Sequence, residues 1–431
     1  MHSSDTNRGE NGRPGFCHGV PTFGSTRLTP ATGGAFTLAA LSALLMIVII
    51  PARAGAQTET VLYSFCAQPG CMDGTHPQAG LVLDTAGNLY GTTNDGGANG
   101  KGTVFEVSGS GTETVLYSFC ALSGCKDGYH PHAGLILDTM GNLYGTTYDG
   151  GAHQAGTVFE ISGSAETVLY SFCVLSHCRD GYYPRAGLVR DNHGNLYGTT
   201  QFNGAYGGGT VFELSASGTE TVLYSFCAQP GCVDGSGPRA GLVLDTSGNL
   251  YGTTYNGGAN GKGMVFKVSA SGTEAVLYSF CAQSGCPDGS NPLAGLVLDT
   301  NGNLYGTTLK GGANGKGTVF EVSASGAETV LHSFCAQPGC RDGSSPQAGL
   351  VMDANGNLYG TTYYGGAKRG RGTVFELSPN GTETVLHSFS ANGIDGYNPV
   401  AGLVLDTKGN LYGTTLAGGA NRGGTVFEVT P

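Results

Sequence analysis

The chain has 431 residues, 77 of them glycine, with no tryptophan, only 12% charged side chains and a net charge of −11. That balance argues against nucleic acid as a partner, because phosphate neutralisation needs clustered Lys and Arg, and it offers no basic patch to an anionic membrane surface. The glycines have no Gly-X-Y period and lie between apolar, β-branched runs, which reads as many short strands joined by tight turns rather than as disorder.

In chain order, the first feature is an apolar run at 35–50, AFTLAALSALLMIVII, followed by Ala54-Gly55-Ala56 ahead of Gln57. This is the plan of a secretory signal with an A-x-A cleavage site. The reading is therefore a secretory signal segment at 1–56 and an exported repeat domain at 57–431, outside the cell, on its surface or in the periplasm. An uncleaved N-terminal anchor is the alternative, although the run is short for a full span. Without residues 1–56 the net charge is −13.

The repeat begins at once. ETVLYSF (59–65) leads into a loop with Cys66 and Cys71, then Asp73-Gly74, then GLVLD (80–84), NLYGTT (88–93), a glycine-rich loop GGANGKG (96–102), TVFEV (103–107) and again ETVLYSF (113–119). The string GNLYGTT starts at Gly87, Gly141, Gly194, Gly248, Gly302, Gly356 and Gly409, in steps of 53 or 54 residues. Val, Leu, Thr, Tyr and Phe dominate these runs, as strands prefer, and the runs are apolar on both faces, as in sheets packed on both sides. Seven units of four strands predict an all-β, seven-bladed β-propeller. The strand at 59–65 precedes the first GLVLD, and the chain ends after TVFEVTP. The N-terminal strand is thus expected to complete the closing blade. Closure of that kind removes the open edges that a linear solenoid would have to cap.

AGLVLDTAGNLYGTTNDGGANGKGTVFEVS (79–108) and its six relatives resemble the bacterial GloVer (Gloeo/Verruco) tandem repeat over essentially the whole of 57–431. The resemblance implies an exported bacterial propeller of uncharacterised function and brings no catalytic residues with it. D-x-x-G-N-L-Y is more distantly similar to the strand-turn-strand of NHL-type propellers, which bears on fold alone.

Twelve cysteines fall into six C-x4-C loops, which pair Cys66 with Cys71, Cys120 with Cys125, Cys173 with Cys178, Cys227 with Cys232, Cys281 with Cys286 and Cys335 with Cys340. The seventh loop, SFSANGIDG (388–396), loses both cysteines together, as a bonded pair predicts. An exported chain can form disulfides. A zinc site would need about four ligands, and each loop brings two thiols and no regular histidine. A redox pair would more typically be C-x-x-C. Two aspartates recur in every unit, as Asp73 and Asp84 do in the first. Their sevenfold repetition suits turn chemistry better than calcium ligation or carboxylate catalysis, which needs one asymmetric constellation. His76, His130 and His132 read as loop histidines, and neither a G-x-S-x-G elbow nor a phosphate loop is present. Neither a cofactor nor a metal is expected.

The copies differ most after YGTT and after DG, at loop tips expected to share one end of the ring. Tyr129, His130, Tyr148, Tyr182, Tyr183, Tyr255, Tyr363, Tyr364 and Tyr397 are the candidate contacts there, since tyrosine both stacks and hydrogen-bonds. The expectation is a monomeric, non-catalytic propeller that binds an extracellular glycan or a surface protein through one loop face. The alternatives are a propeller-type lyase, lactonase or glycosidase, or a purely structural envelope protein.

Overall fold

The computed structural model describes residues 58–367 and 370–430. The expected signal segment at 1–56 lies outside the described residues. From Thr58 onward the described residues form seven antiparallel blades set in a ring, each built on four strands, a seven-bladed β-propeller; two blades add a short fifth strand. The first blade runs Val82–Leu83, Leu89–Thr93, Thr103–Val107 and Glu113–Ser118 from the axis outward, each strand paired with the next in sequence. GLVLD thus contributes a strand of only two residues. The seventh blade takes three strands from the C-terminal end, and its outermost strand is Thr58–Ser64, paired antiparallel with Thr425–Thr430. The closing register is therefore the one the permuted repeat predicts.

Each outer strand carries a bulge. In the first blade Val104 pairs with Tyr117 and Phe105 with Val115, so Leu116 has no partner of its own. A bulge flips the alternation of faces, which is why ETVLYS reads as a continuous apolar run instead of a period of two. Blade packs on blade through phenylalanine. Phe65, at the end of one outer strand, meets Phe105 on the third strand of the next blade, edge to face, with centroids 4.9 Å apart and both rings fully buried. Equivalent pairs recur at the other six interfaces, at 4.9–5.2 Å.

Two ladders close the ring near the axis. Thr92 Oγ1 donates to the Ala133 carbonyl of the following blade, and the series continues at 3.0–3.2 Å until Thr414 donates to Ala79 of the first blade. The glycine after each of these alanines sits against its counterpart in the preceding blade. A Cβ on Gly134 would lie 3.1 Å from the Gly80 carbonyl oxygen, and one on Gly80 would lie 3.4 Å from that of Gly402. Only the innermost strands can approach one another this way, so the P-x-A-G segment entering each blade lines the central channel.

Candidate functional site

The two variable sets meet, blade by blade. The residue after each DG bridges the second residue after the following YGTT: Thr75 with Asp95, Tyr129 with Asp149, Tyr182 with Phe202 and Ser344 with Tyr364 as isolated bridges. In the other three blades the same bridge is part of a short strand pair, Ser236 with Asn256, Ser290 with Lys310 and Tyr397 with Ala417. The next residue along, His76, His130, Tyr183, Gly237, Asn291, Ser345 or Asn398, is left-handed in every blade, with φ between 53 and 62°. Its N–H donates at 2.7–3.0 Å to a loop carbonyl of the preceding blade. That inter-blade bond holds six non-glycine residues in a conformation that costs them energy, and so fixes where their side chains emerge.

The cysteine loops share this end of the ring. The Cys71 carbonyl accepts the N–H groups of both Gly74 and Gly97, which ties the loop to the glycine-rich loop beside it. All six expected pairs are disulfides: Cys66 is bonded to Cys71, Cys120 to Cys125, Cys173 to Cys178, Cys227 to Cys232, Cys281 to Cys286 and Cys335 to Cys340. All twelve cysteines are left-handed, with φ between 51 and 69°. They shape the loops that carry the variable tips. Within each loop an aspartate is the anchor: Asp73 accepts from Ala67 N, Gln68 N and Tyr63 Oη at 2.8–3.1 Å. The seventh loop replaces the disulfide with hydrogen bonds. Asn392 Oδ1 accepts from Ile394 N and Asp395 N, and Ser390 donates through both N and Oγ to Asp395. Six disulfides point to an oxidising environment, extracellular or periplasmic. Among the described residues no helix is long and apolar enough to cross a membrane.

The second recurrent aspartate also serves a turn. Asp84 accepts from the N–H groups of Ala86 and Asn88, from the Asn88 amide and from Tyr90 Oη. Burial opposes ionisation there, but those donors outweigh it and hold the carboxyl below its ordinary range. The first aspartate has a different neighbour. Glu113, on the outer strand of the adjoining blade, is pushed up to about 7, first by burial and then by the charge of Asp73. The same Tyr–Asp–Glu junction recurs around the ring, with histidine replacing tyrosine at His332 and His387. In the seventh copy Glu59, His387 and Asp395 bring ligand atoms within 4.8 Å of one another. Since that cluster is one of seven structural junctions, it does not single out a metal centre.

Of the candidate tyrosines, the structure gathers three. Tyr148 and Tyr183 stack with centroids 4.5 Å apart and planes at 19°. Tyr182 packs edge-on against Tyr183 at 4.3 Å, Phe202 lies 5.9 Å from Tyr182, and His132 meets the Tyr148 ring at 5.0 Å. Tyr182 also leans on the buried core of its blade. The remainder lie apart. Tyr129 contacts His130, with Lys101 over its ring. Tyr363 and Tyr364 pair with each other. Tyr397 packs on the seventh-blade core beneath Arg371. Tyr255 lies under Arg239 at 4.1 Å. His130 is less free than a solvated loop histidine: its Nδ1 lies 3.0 Å from Asp149, its Nε2 3.6 Å from Asp95, and Asp95 also holds His76 at 3.1 Å.

Sequence reasoning missed the ring at the channel mouth. The x of P-x-A-G is Gln78, His132, Arg185, Arg239, Leu293, Gln347 and Val400, one per blade, and together these line a cavity of about 140 Å³ on the axis. The signal was available: x alone varies in a segment whose proline, alanine and glycine do not. Within the ring, Gln78 Oε1 and His132 Nδ1 are 3.2 Å apart. Burial, then the charges of Arg185 and His130, lower His132 to about 4. Arg239 is held by the Gln201 amide oxygen, which accepts from Nε and Nη2 at 3.2 Å each with the amide turned toward it. The Arg185 guanidinium is lowered from its ordinary value by burial and by its neighbour Arg239. The seven ring positions carry no carboxylate. The stacked Tyr148–Tyr183 pair borders the His132–Arg185–Arg239 side, so aromatic and cationic groups concentrate on the second to fourth blades.

Comparison with known proteins identifies the repeat. Residues 48–244, 124–287 and 241–431 match a family model described as the Gloeobacter/Verrucomicrobia repeat. No curated protein matches. Among solved structures, the X-ray structure of a candidate gluconolactonase is similar at 14% identity, with 87% of this chain and 92% of that chain covered and a TM-score of 0.41.

Proposed function

Because the chain belongs to the Gloeobacter/Verrucomicrobia repeat family, whose description names a repeat and no reaction, we propose its function from the face itself: an exported, non-catalytic binding module for an extracellular glycan. The observation that carries this is the aromatic cluster Tyr148, Tyr182, Tyr183 and Phe202, gathered from two blades beside the channel mouth. Sugars present C–H faces that stack on aromatic rings and hydroxyls that reach Tyr Oη and amides, and this sector supplies both kinds of group on a rigid frame. The cluster breaks the sevenfold symmetry, as a binding site for one ligand must, while the recurrent aspartates obey it. A paired-carboxylate glycosidase finds no such pair among the seven ring positions.

The test is retention of the full chain on a glycan array, alongside a Tyr148→Ala, Tyr183→Ala variant with its thermal midpoint recorded. Two lost stacking partners should cost binding about tenfold or more, with the midpoint of the propeller little changed. Tyr182 is left in place because it packs on the core. Unchanged retention in the variant refutes the site, and the absence of any retained glycan refutes the carbohydrate reading and turns the search to a surface protein.

A further inference from the structure

The channel mouth is chemically one-sided. Arg185 and Arg239 stand on adjacent blades at equivalent positions, and the ring around them offers two glutamines, a histidine, a leucine and a valine. Among the described residues every ion pair involves a histidine, and neither arginine has a carboxylate within ion-pair distance. The aspartate bearing on His132 is Asp95, which is already engaged by His76 and His130. Two guanidiniums side by side and partly withdrawn from water repel each other, and among the described residues no carboxylate compensates them. The rest of the protein is acidic, at −11 overall, so this pair is a local exception to a field that would otherwise repel anions.

The geometry also prepares the pair for a ligand. Arg239 sits over the Tyr255 ring, 4.1 Å from its centroid, and is pinned through Nε and Nη2 by Gln201, which leaves Nη1 free among the described residues. Arg185 makes no hydrogen bond among the described residues, so its five donors are uncommitted. A planar fork of N–H groups matches an oxyanion, and a carboxylate best, through two parallel hydrogen bonds. At neutral pH His132, lowered to about 4, adds a neutral hydrogen-bonding group and no third charge.

We propose that the channel mouth between the third and fourth blades is a carboxylate subsite, in which Arg185 and Arg239 clamp the acid group of a uronic-acid residue in the bound glycan. This rests on the carbohydrate reading above and narrows its ligand to acidic polysaccharide. The neighbouring Tyr148–Tyr183 pair carries the adjoining sugar, and the cavity of about 140 Å³ admits the carboxylate-bearing edge of one ring.

Isothermal titration of the full chain at fixed low ionic strength tests it, with a uronic-acid oligosaccharide, its fully methyl-esterified counterpart and inorganic sulfate as a competitor. The acid should bind about tenfold or more tightly than the ester, since charged hydrogen bonds are the strong ones. Sulfate should displace the acid and leave the ester bound. Arg185→Gln and Arg239→Gln should each bring the acid down toward the affinity of the ester, and Arg185→Lys should fall between, because it keeps the charge and loses the fork. If a variant fails to fold, the acid-to-ester ratio of the unaltered chain still decides. Equal affinities, or sulfate that displaces nothing, overturn the subsite and leave the carbohydrate reading standing. Binding of neither saccharide also overturns the subsite, and the carbohydrate reading then stands or falls with the glycan array.

Discussion

Replacing one cysteine pair, Cys66→Ser with Cys71→Ser, separates two roles that a disulfide can play. The bonded residues are five apart in sequence, so the closed loop is small, and the chain-entropy relation assigns it about 2 kcal/mol. A domain of roughly 370 residues unfolds with an entropy of about 0.8 kcal/mol/K near its midpoint, so that loss corresponds to a fall of about 2–3 °C. The structure explains why it should be no larger. Asp73 keeps its bonds to Ala67 N and Gln68 N, Cys71 is replaced at the side chain only, and its carbonyl still accepts from Gly97. The seventh loop is the natural control, since Asn392 and Ser390 hold the same turn around Asp395 with no sulfur. Scanning calorimetry of the oxidised chain and the double variant reads the difference directly. A fall beyond about 10 °C, or a second transition below the first, would refute the assignment of these bonds to local loop shape.

Stability should decline as pH rises from about 5 to about 8. Folded Glu113, Glu166, Glu220, Glu274, Glu328 and Glu383 keep their protons up to about 7, against 4.5 for the ordinary carboxyl. In that window the unfolded chain has released protons that the folded chain retains, so this contribution is fully present below about 4.5 and is lost as pH passes about 7. Glu113→Gln should flatten part of the slope, and a midpoint independent of pH across this window would contradict the shifts. Thr414→Val should cost about 1 kcal/mol or more, because it leaves the Ala79 carbonyl of the ring-closing bond unpaired; a denaturant midpoint equal to the parent would disprove the closure ladder. Deleting Thr58–Ser64 should expose the edge of Thr425–Thr430 and drive the chain into larger associated species than the parent forms, with an elution volume on gel filtration matching the parent as the refuting result.

The fold was legible because a repeat states its geometry seven times. GNLYGTT marks the second strand of every blade, TVFEV the third, and ETVLYSF the outer strand together with the phenylalanine that locks the next interface. The disulfides were legible from one absence, the paired loss in SFSANGIDG. The candidate site was legible only in part. The meeting of Tyr182 with Phe202 across one blade follows from strand order. The stacking of Tyr148 on Tyr183 does not, because it joins residues of neighbouring blades, and whether their rings face each other depends on the twist between sheets. Tyr129 and Tyr397 hold the same place in their units as Tyr182 and lean on blade cores as it does, yet cations cover their rings.

The channel ring marks the division between sequence and tertiary structure. Local composition and periodicity determined the strands, their order, the blade count, the loop disulfides and the partner for the last blade, since all of these follow from short-range backbone chemistry repeated at a constant interval. That Gln78, His132, Arg185, Arg239, Leu293, Gln347 and Val400 face one another was decided only by closure. They are 53 or 54 residues apart along the chain, and no local preference of strand or turn refers to the axis. Bending seven sheets into a ring brings that one side chain per blade to a common point, and there two arginines that are unremarkable in sequence become a pair without a carboxylate partner among the described residues.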